Sequence, residues 1–230
     1  LSSLLFGLHP LHTEAVANIA GRPELLYTAC ILGAWIIREK FSQNIFSLPL
    51  FLILYTFGLL SKETAIMFPF ILIATDLLRN HHVLNVRNLL QYGMLFLVTI
   101  LYLVWRWHIL GPTAAGLVPD FVDNPIANSP PLTRISTAFS VFFRYFALLL
   151  SPVVLSADYS YNQIPIVHTM FSLLSLSGFC IFIGIIILAI VYRRRTIIPF
   201  SIILILFPYI LISNIFFPVG TIMGERLLYL

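Results

Sequence analysis

The chain has 230 residues, 60% of them hydrophobic and only 10% charged. A water-soluble domain carries about a quarter charged residues, so this composition, with a mean hydropathy of +0.98, predicts a polytopic α-helical membrane protein. The net charge of +4 is small and scattered, which argues against nucleic acid as a partner, and the continuous apolar runs exclude an outer-membrane barrel.

Cys30 and Cys180 both lie inside apolar runs, where a disulfide is not expected. No initiator Met or signal-peptide pattern stands at Leu1, and Leu227-Leu228-Tyr229-Leu230 reads as the opening of another helix. The expectation is one membrane domain over residues 1–230, without linker or repeat and truncated at both ends.

Apolar runs and breakers predict the elements in order. Leu1–Leu8 is a helix tail and His9–Glu24 a polar connection. Gly21-Arg22-Pro23-Glu24 reads as a turn that starts the span Leu25–Ile37, with Pro and Glu in its first turn. After the polar turn Arg38–Asn44, Ile45–Leu60 and Ala65–Leu78 form a hairpin around Ser61-Lys62-Glu63-Thr64. Arg79–Asn88 is a polar loop containing His81-His82, and Leu89–Leu110 is a full span. Gly111–Arg134 opens a large loop region, 111–168, that encloses the apolar run Ile135–Leu155. Thr169–Tyr192 spans, Arg193-Arg194-Arg195 stops it, and Phe200–Phe217 spans back.

Basic residues in short loops set the orientation. Arg193–Arg195, Arg79/Arg87 and Arg38/Lys40 mark the cytosolic side. Alternation then puts His9–Glu24, Ser61–Thr64, Gly111–Arg134, Ser156–His168 and Gly220–Leu230 on the far side. Ile135–Leu155 lies between two far-side segments and carries Arg144, with Pro152 near its end. It is therefore expected to be an interfacial or re-entrant helix.

Several charged groups carry possible chemistry. His9, His12 and Glu14 sit in His9-Pro10-Leu11-His12-Thr13-Glu14, a spacing unlike the two-turn His arrangement of zinc hydrolases. Helix capping, metal ligation and substrate positioning all remain open for them. In Ser61-Lys62-Glu63-Thr64, Ser61 is expected to cap the following helix and Glu63 to suit its N-terminus, while Lys62 is a candidate phosphate ligand. Asp120 and Asp123 precede an Asx-Pro turn, and Asp158 stands among Tyr159 and Tyr161. Asp76, Arg106 and His108 read as snorkelling or locally paired groups. Glu225-Arg226, adjacent charges in apolar sequence, is either a structural pair or a phosphate grip.

Together the blocks His9–Ala17, Gly21–Leu26, Ser61-Lys62-Glu63, Phe121–Pro125, Ser156–Pro165, Ser213–Gly220 and Glu225–Tyr229 resemble the transmembrane and tetratricopeptide-repeat-containing (TMTC) family. They occur in family order over almost the whole chain. The chain departs from it at Ser61, where the family usually has Cys before Lys-Glu. The resemblance implies an all-α, GT-C-like transmembrane bundle of the endoplasmic reticulum membrane, with the family's domain of unknown function in the large lumenal loop. It implies a dolichyl-phosphate-mannose-protein O-mannosyltransferase, acting on Ser or Thr of secretory-pathway domains such as cadherins. It implies no metal and no cofactor, dolichyl-phosphate mannose being the donor substrate. It also implies a catalytic acidic loop upstream of Leu1 and tetratricopeptide repeats after Leu230.

On this reading Arg226 and Lys62 bind the donor phosphate. His9, His12, Glu14, Glu63, Asp123, Asp158 and Glu225 position substrate. The partners are the donor lipid, acceptor protein domains and the bilayer. Two rival readings are a transporter, for which charges facing each other at mid-bilayer are expected, and a non-catalytic anchor for a repeat domain.

Overall fold

A computed structural model describes residues 2–41, 46–79, 85–111, 121–156 and 158–229. His81, His82 and Asp120, and most of the first part of the loop 111–134, lie outside the described residues. The described residues form helices α1 (Ser2–Leu8), α2 (Thr13–Ala17), α3 (Arg22–Lys40), α4 (Ser47–Ser61), α5 (Phe68–Leu78), α6 (Val86–Leu110), α7 (Pro131–Leu150), α8 (Leu173–Val191) and α9 (Ile197–Ile212). Short 3-10 turns join some of them, and no strand occurs among the described residues. The all-α expectation holds. By length and composition α6, α7 and α8 are long and apolar enough to cross a membrane, and α4 and α9 are shorter apolar helices.

Local chemistry sets the helix ends. Pro23 and Glu24 fall in the first turn of α3, where a missing N–H and a negative charge are both tolerated. The Asn85 side chain caps α6 by accepting from the Arg87 N–H at 3.4 Å, and Ser172 caps α8 through the Ser175 N–H at 3.2 Å. Two expectations are corrected. The run expected at Ile135–Leu155 is helical from Pro131 to Leu150. Pro131 suits a first turn, and Pro152 pushes Ser151 out of the helical region, to φ −146° and ψ 82°. Ser61 does not cap the following element: its hydroxyl donates back to the Phe57 carbonyl at 2.7 Å and closes α4.

The chain divides into two compact units. Nothing in composition marks the division, because both are equally apolar. One unit comprises Arg22–Ala115 and Arg193–Pro208. Tyr27, Ile31 and Ala34 recur at helical spacing on α3 and pack with Phe51, Tyr55 and Leu59 of α4, Phe68 and Leu72 of α5, and Tyr92 and Leu95 of α6. Inside this core the Tyr55 hydroxyl donates to Thr99 at 2.6 Å, Thr99 itself donating to the Leu95 carbonyl. At the end where α3 finishes, Arg38 forks onto Asp76 at 2.5 and 3.2 Å and donates from Nε to Gln91 at 2.9 Å. The Tyr92 hydroxyl donates to the same Asp76 carboxylate. Asp76 is thus a buried, fully engaged partner, the local pairing the sequence allowed.

The other unit comprises Leu1–Gly21, Gly116–Tyr192 and Tyr209–Tyr229. Val141, Phe142 and Tyr145 of α7 pack with Ile126, Ile164, Tyr209, Ile212, Ile222 and Met223. Helix α7 also meets α8 almost backbone to backbone. A Cβ added at Gly178 would stand 1.9 Å from the Phe139 carbonyl oxygen, and Ser175 donates to the Ser136 carbonyl at 2.6 Å. Only glycine fits there, as in close helix pairs within membranes.

Candidate functional site

In the unit built around α7, four short sequence blocks clasp one another. Asn214 adopts a left-handed conformation, φ 60°, which an Asn accepts more readily than most residues. From there its side-chain oxygen accepts from the Val219 N–H at 2.8 Å and from Asn124 Nδ2 at 2.8 Å. Asn124, wholly buried, also donates to the Val219 carbonyl at 2.6 Å. The Ile222 N–H reaches the Asp123 carbonyl at 3.1 Å, and the Tyr161 N–H reaches the Val122 carbonyl at 3.0 Å. The Tyr145 hydroxyl then holds Gly224 at both ends, accepting from its N–H at 2.9 Å and donating to its carbonyl at 3.0 Å. Buried polar groups are thereby satisfied pairwise, and the backbone entering Glu225-Arg226 is fixed.

The two charged neighbours turn to different partners. Glu225, 2% exposed, accepts from the Ser156 N–H at 2.7 Å and from the Tyr159 hydroxyl at 2.7 Å. Burial, followed by the Glu225 carboxylate, pushes the Tyr159 hydroxyl well above the usual phenol range. Arg226 goes to Glu14 on α2: its backbone N–H donates to Oε2 at 2.9 Å and Nη1 stands 3.4 Å from Oε1. Burial raises the Glu14 carboxyl above its usual value, against the opposing pull of the Arg226 N–H and guanidinium. The Arg226 side chain keeps 30% of its surface exposed, while that of Glu14 keeps 5%.

Beside this pair is an aromatic and imidazole cluster. The His12 ring lies 4.2 Å from Phe6 and 5.0 Å from Tyr229, centroid to centroid, with His9 at 5.9 Å. Burial, then the neighbouring His9, lowers the His12 pKa and favours the neutral ring. His9 accepts from the Leu11 N–H at Nδ1 and meets the Leu149 carbonyl with Nε2 at 3.2 Å, which assigns the proton to Nε2. His9 therefore caps the turn Pro10–His12, one of the roles left open for it. Among the described residues no three His, Cys, Asp or Glu groups gather as a metal site.

Of the expected site residues, His9, His12, Glu14, Asp123, Asp158, Glu225 and Arg226 belong to this unit. Asp123 enters through its backbone, and its side chain is exposed. Asp158 is exposed and closes its own turn, accepting from the Ser160 N–H at 3.0 Å and from the Ser160 hydroxyl, which together lower its pKa. Lys62 and Glu63 belong to the other unit. There Lys62 pairs with Glu24 at 2.5 Å, and Glu63, largely exposed, pairs with Arg106. The residues missed by sequence reasoning are Tyr145, Asn124 and Asn214. An asparagine directly before a proline, Asn124-Pro125, was the available signal for the second of these.

Residues 118–186 match the family model described as "Protein O-mannosyl-transferase TMTC, DUF1736". Over the whole chain it is 36% identical to a protein O-mannosyl-transferase of Caenorhabditis elegans, of which it covers 32%. It is 30% identical to human "Protein O-mannosyl-transferase TMTC3" and 28% identical to human "Protein O-mannosyl-transferase TMTC4", again over the whole chain, covering 28% and 36% of them. The chain is similar to TMTC proteins along its whole length. It spans about a third of the length of these relatives, and no solved structure matches it. With three apolar helices of spanning length among the described residues, and this similarity, it is a membrane protein.

Proposed function

We propose that the chain is part of the membrane module of a protein O-mannosyltransferase of the endoplasmic reticulum, using dolichyl-phosphate mannose as donor. In that reaction the oxygen of an acceptor Ser or Thr hydroxyl bonds to C1 of mannose. The bond from C1 to the phosphate oxygen breaks, and dolichyl phosphate leaves with the electron pair. The hydroxyl proton passes to a carboxylate base, which the family resemblance leads us to expect upstream of Leu1. Arg226 serves the leaving phosphate. Its planar, permanently charged head is held by Glu14 at 3.4 Å, longer than a tight charged hydrogen bond, and part of it is exposed.

The observation that carries the proposal is the Glu14–Arg226 pair, in a chain whose relatives are named protein O-mannosyl-transferases. The test is transfer of labelled mannose from dolichyl-phosphate mannose to a cadherin domain by the full-length protein. Arg226→Ala is expected to lower the rate by about 100-fold, the scale of one lost oxyanion ligand. Unchanged transfer by this variant removes Arg226 from the phosphate site.

A further inference from the structure

Helix α7 is apolar enough to cross a membrane and carries two arginines, Arg134 in its first turn and Arg144 in its third quarter. Arg134 reaches the Ile215 carbonyl at 3.5 Å. Arg144 has neither an ion pair nor a hydrogen bond among the described residues, and its Nε is buried from solvent. A guanidinium in an apolar helix without a counter-charge is unfavourable unless an anion comes to it or its head reaches the lipid head groups.

Its place in the fold narrows the choice. The next residue, Tyr145, is bonded at both ends of Gly224, so the backbone of Arg144 is held beside the segment that leads into Glu225-Arg226. At the end of the same helix the Leu149 carbonyl meets His9. In this unit Arg226 is already bound to Glu14, and both nitrogens of His9 are engaged. No described residue forms an ion pair or a hydrogen bond with the Arg144 guanidinium.

We infer that Arg144 binds the phosphate of a membrane lipid, its guanidinium supplying the charge that Glu14 partly withdraws from Arg226. A planar fork of N–H donors matches phosphate oxygens and stays charged at every accessible pH. The lipid is the polyprenyl phosphate of the donor, an identity that rests on the proposed function; a bulk phospholipid offers the same phosphate chemistry.

The full-length protein in phosphatidylcholine nanodiscs, containing dolichol, dolichyl phosphate or phosphatidic acid, distinguishes these sources by thermal unfolding. Dolichyl phosphate is expected to raise the wild-type midpoint above that with dolichol. Arg144→Gln is expected to remove that rise, weakening the lipid by about tenfold or more, as for one lost charge-assisted contact. Arg144→Lys is expected to keep part of it. In phosphatidylcholine alone Arg144→Gln should unfold no earlier than wild type, because no described partner is lost.

A rise retained in full by Arg144→Gln overturns the inference. So does earlier unfolding of that variant in phosphatidylcholine alone, which would reveal a structural partner. An equal rise with phosphatidic acid, lost in Arg144→Gln, supports the phosphate site and assigns it to bulk lipid. If wild type does not distinguish dolichyl phosphate from dolichol but responds to phosphatidic acid through Arg144, the donor reading fails and the site stands. No response to either phosphate lipid overturns the inference itself.

Discussion

Glu225 and Arg226 are adjacent, yet one carboxylate is sealed among backbone and phenol donors while the guanidinium leans toward Glu14 and solvent. Glu225 therefore acts as an anchor for the Ser156–Tyr159 turn. Both of its bonds end on one oxygen, which an amide oxygen can replace. Glu225→Gln is expected to change stability by less than about 1 kcal/mol, whereas Glu225→Ala, which strands two donors, should cost about 2–3 kcal/mol by equilibrium unfolding. Mannose transfer should follow the same order, the Gln variant near wild type. At this scale the charged residues were legible, because ionisable groups stand out in apolar sequence. Tyr145 was not: its role comes from a backbone partner 79 residues away, and no local pattern records that.

Among the elements, the α7–α8 pair shows how a membrane helix packs without a difference in hydrophobicity to drive it. Gly178 brings α8 against the backbone of α7, and Ser175 and Ser136 add a hydrogen bond between them. Gly178→Ala puts a methyl into the Phe139 carbonyl and is expected to destabilise by about 1–3 kcal/mol, measured as earlier thermal unfolding in detergent. A glycine added instead at exposed Leu176 should not reproduce that clash, though it carries the ordinary helix cost of about 1 kcal/mol. Helix positions were largely legible from apolar runs, and the ends were less so. Pro152 stops α7 at Leu150, five residues before the expected end, and Ser61 bonds backward where a forward cap was expected. Such choices depend on backbone angles that residue type only biases.

At the scale of the whole molecule, the orientation argued from Arg193–Arg195 can be checked directly. Glycosylation-acceptor tags placed within residues 121–130 are expected to be modified in microsomes, and tags beside Arg193–Arg195 are not. Modification of the second set alone would invert the topology. Membrane class and family were legible from composition and from the order of the motif blocks. The division into two compact units was not, since an apolar linker-free chain conceals it.

The Glu14–Arg226 pair also sets a timetable for synthesis. Its members are 212 residues apart, and ribosomes add about 5–20 residues each second, so Glu14 waits roughly 10–40 s for its counter-charge. Throughout that interval a carboxyl destined for burial remains without it, and closing so long a loop is favoured only once the intervening helices have packed. The nascent chain thus has a checkpoint: a ribosome that stalls before Arg226 releases a polypeptide in which the α2 turn lacks its closing contact.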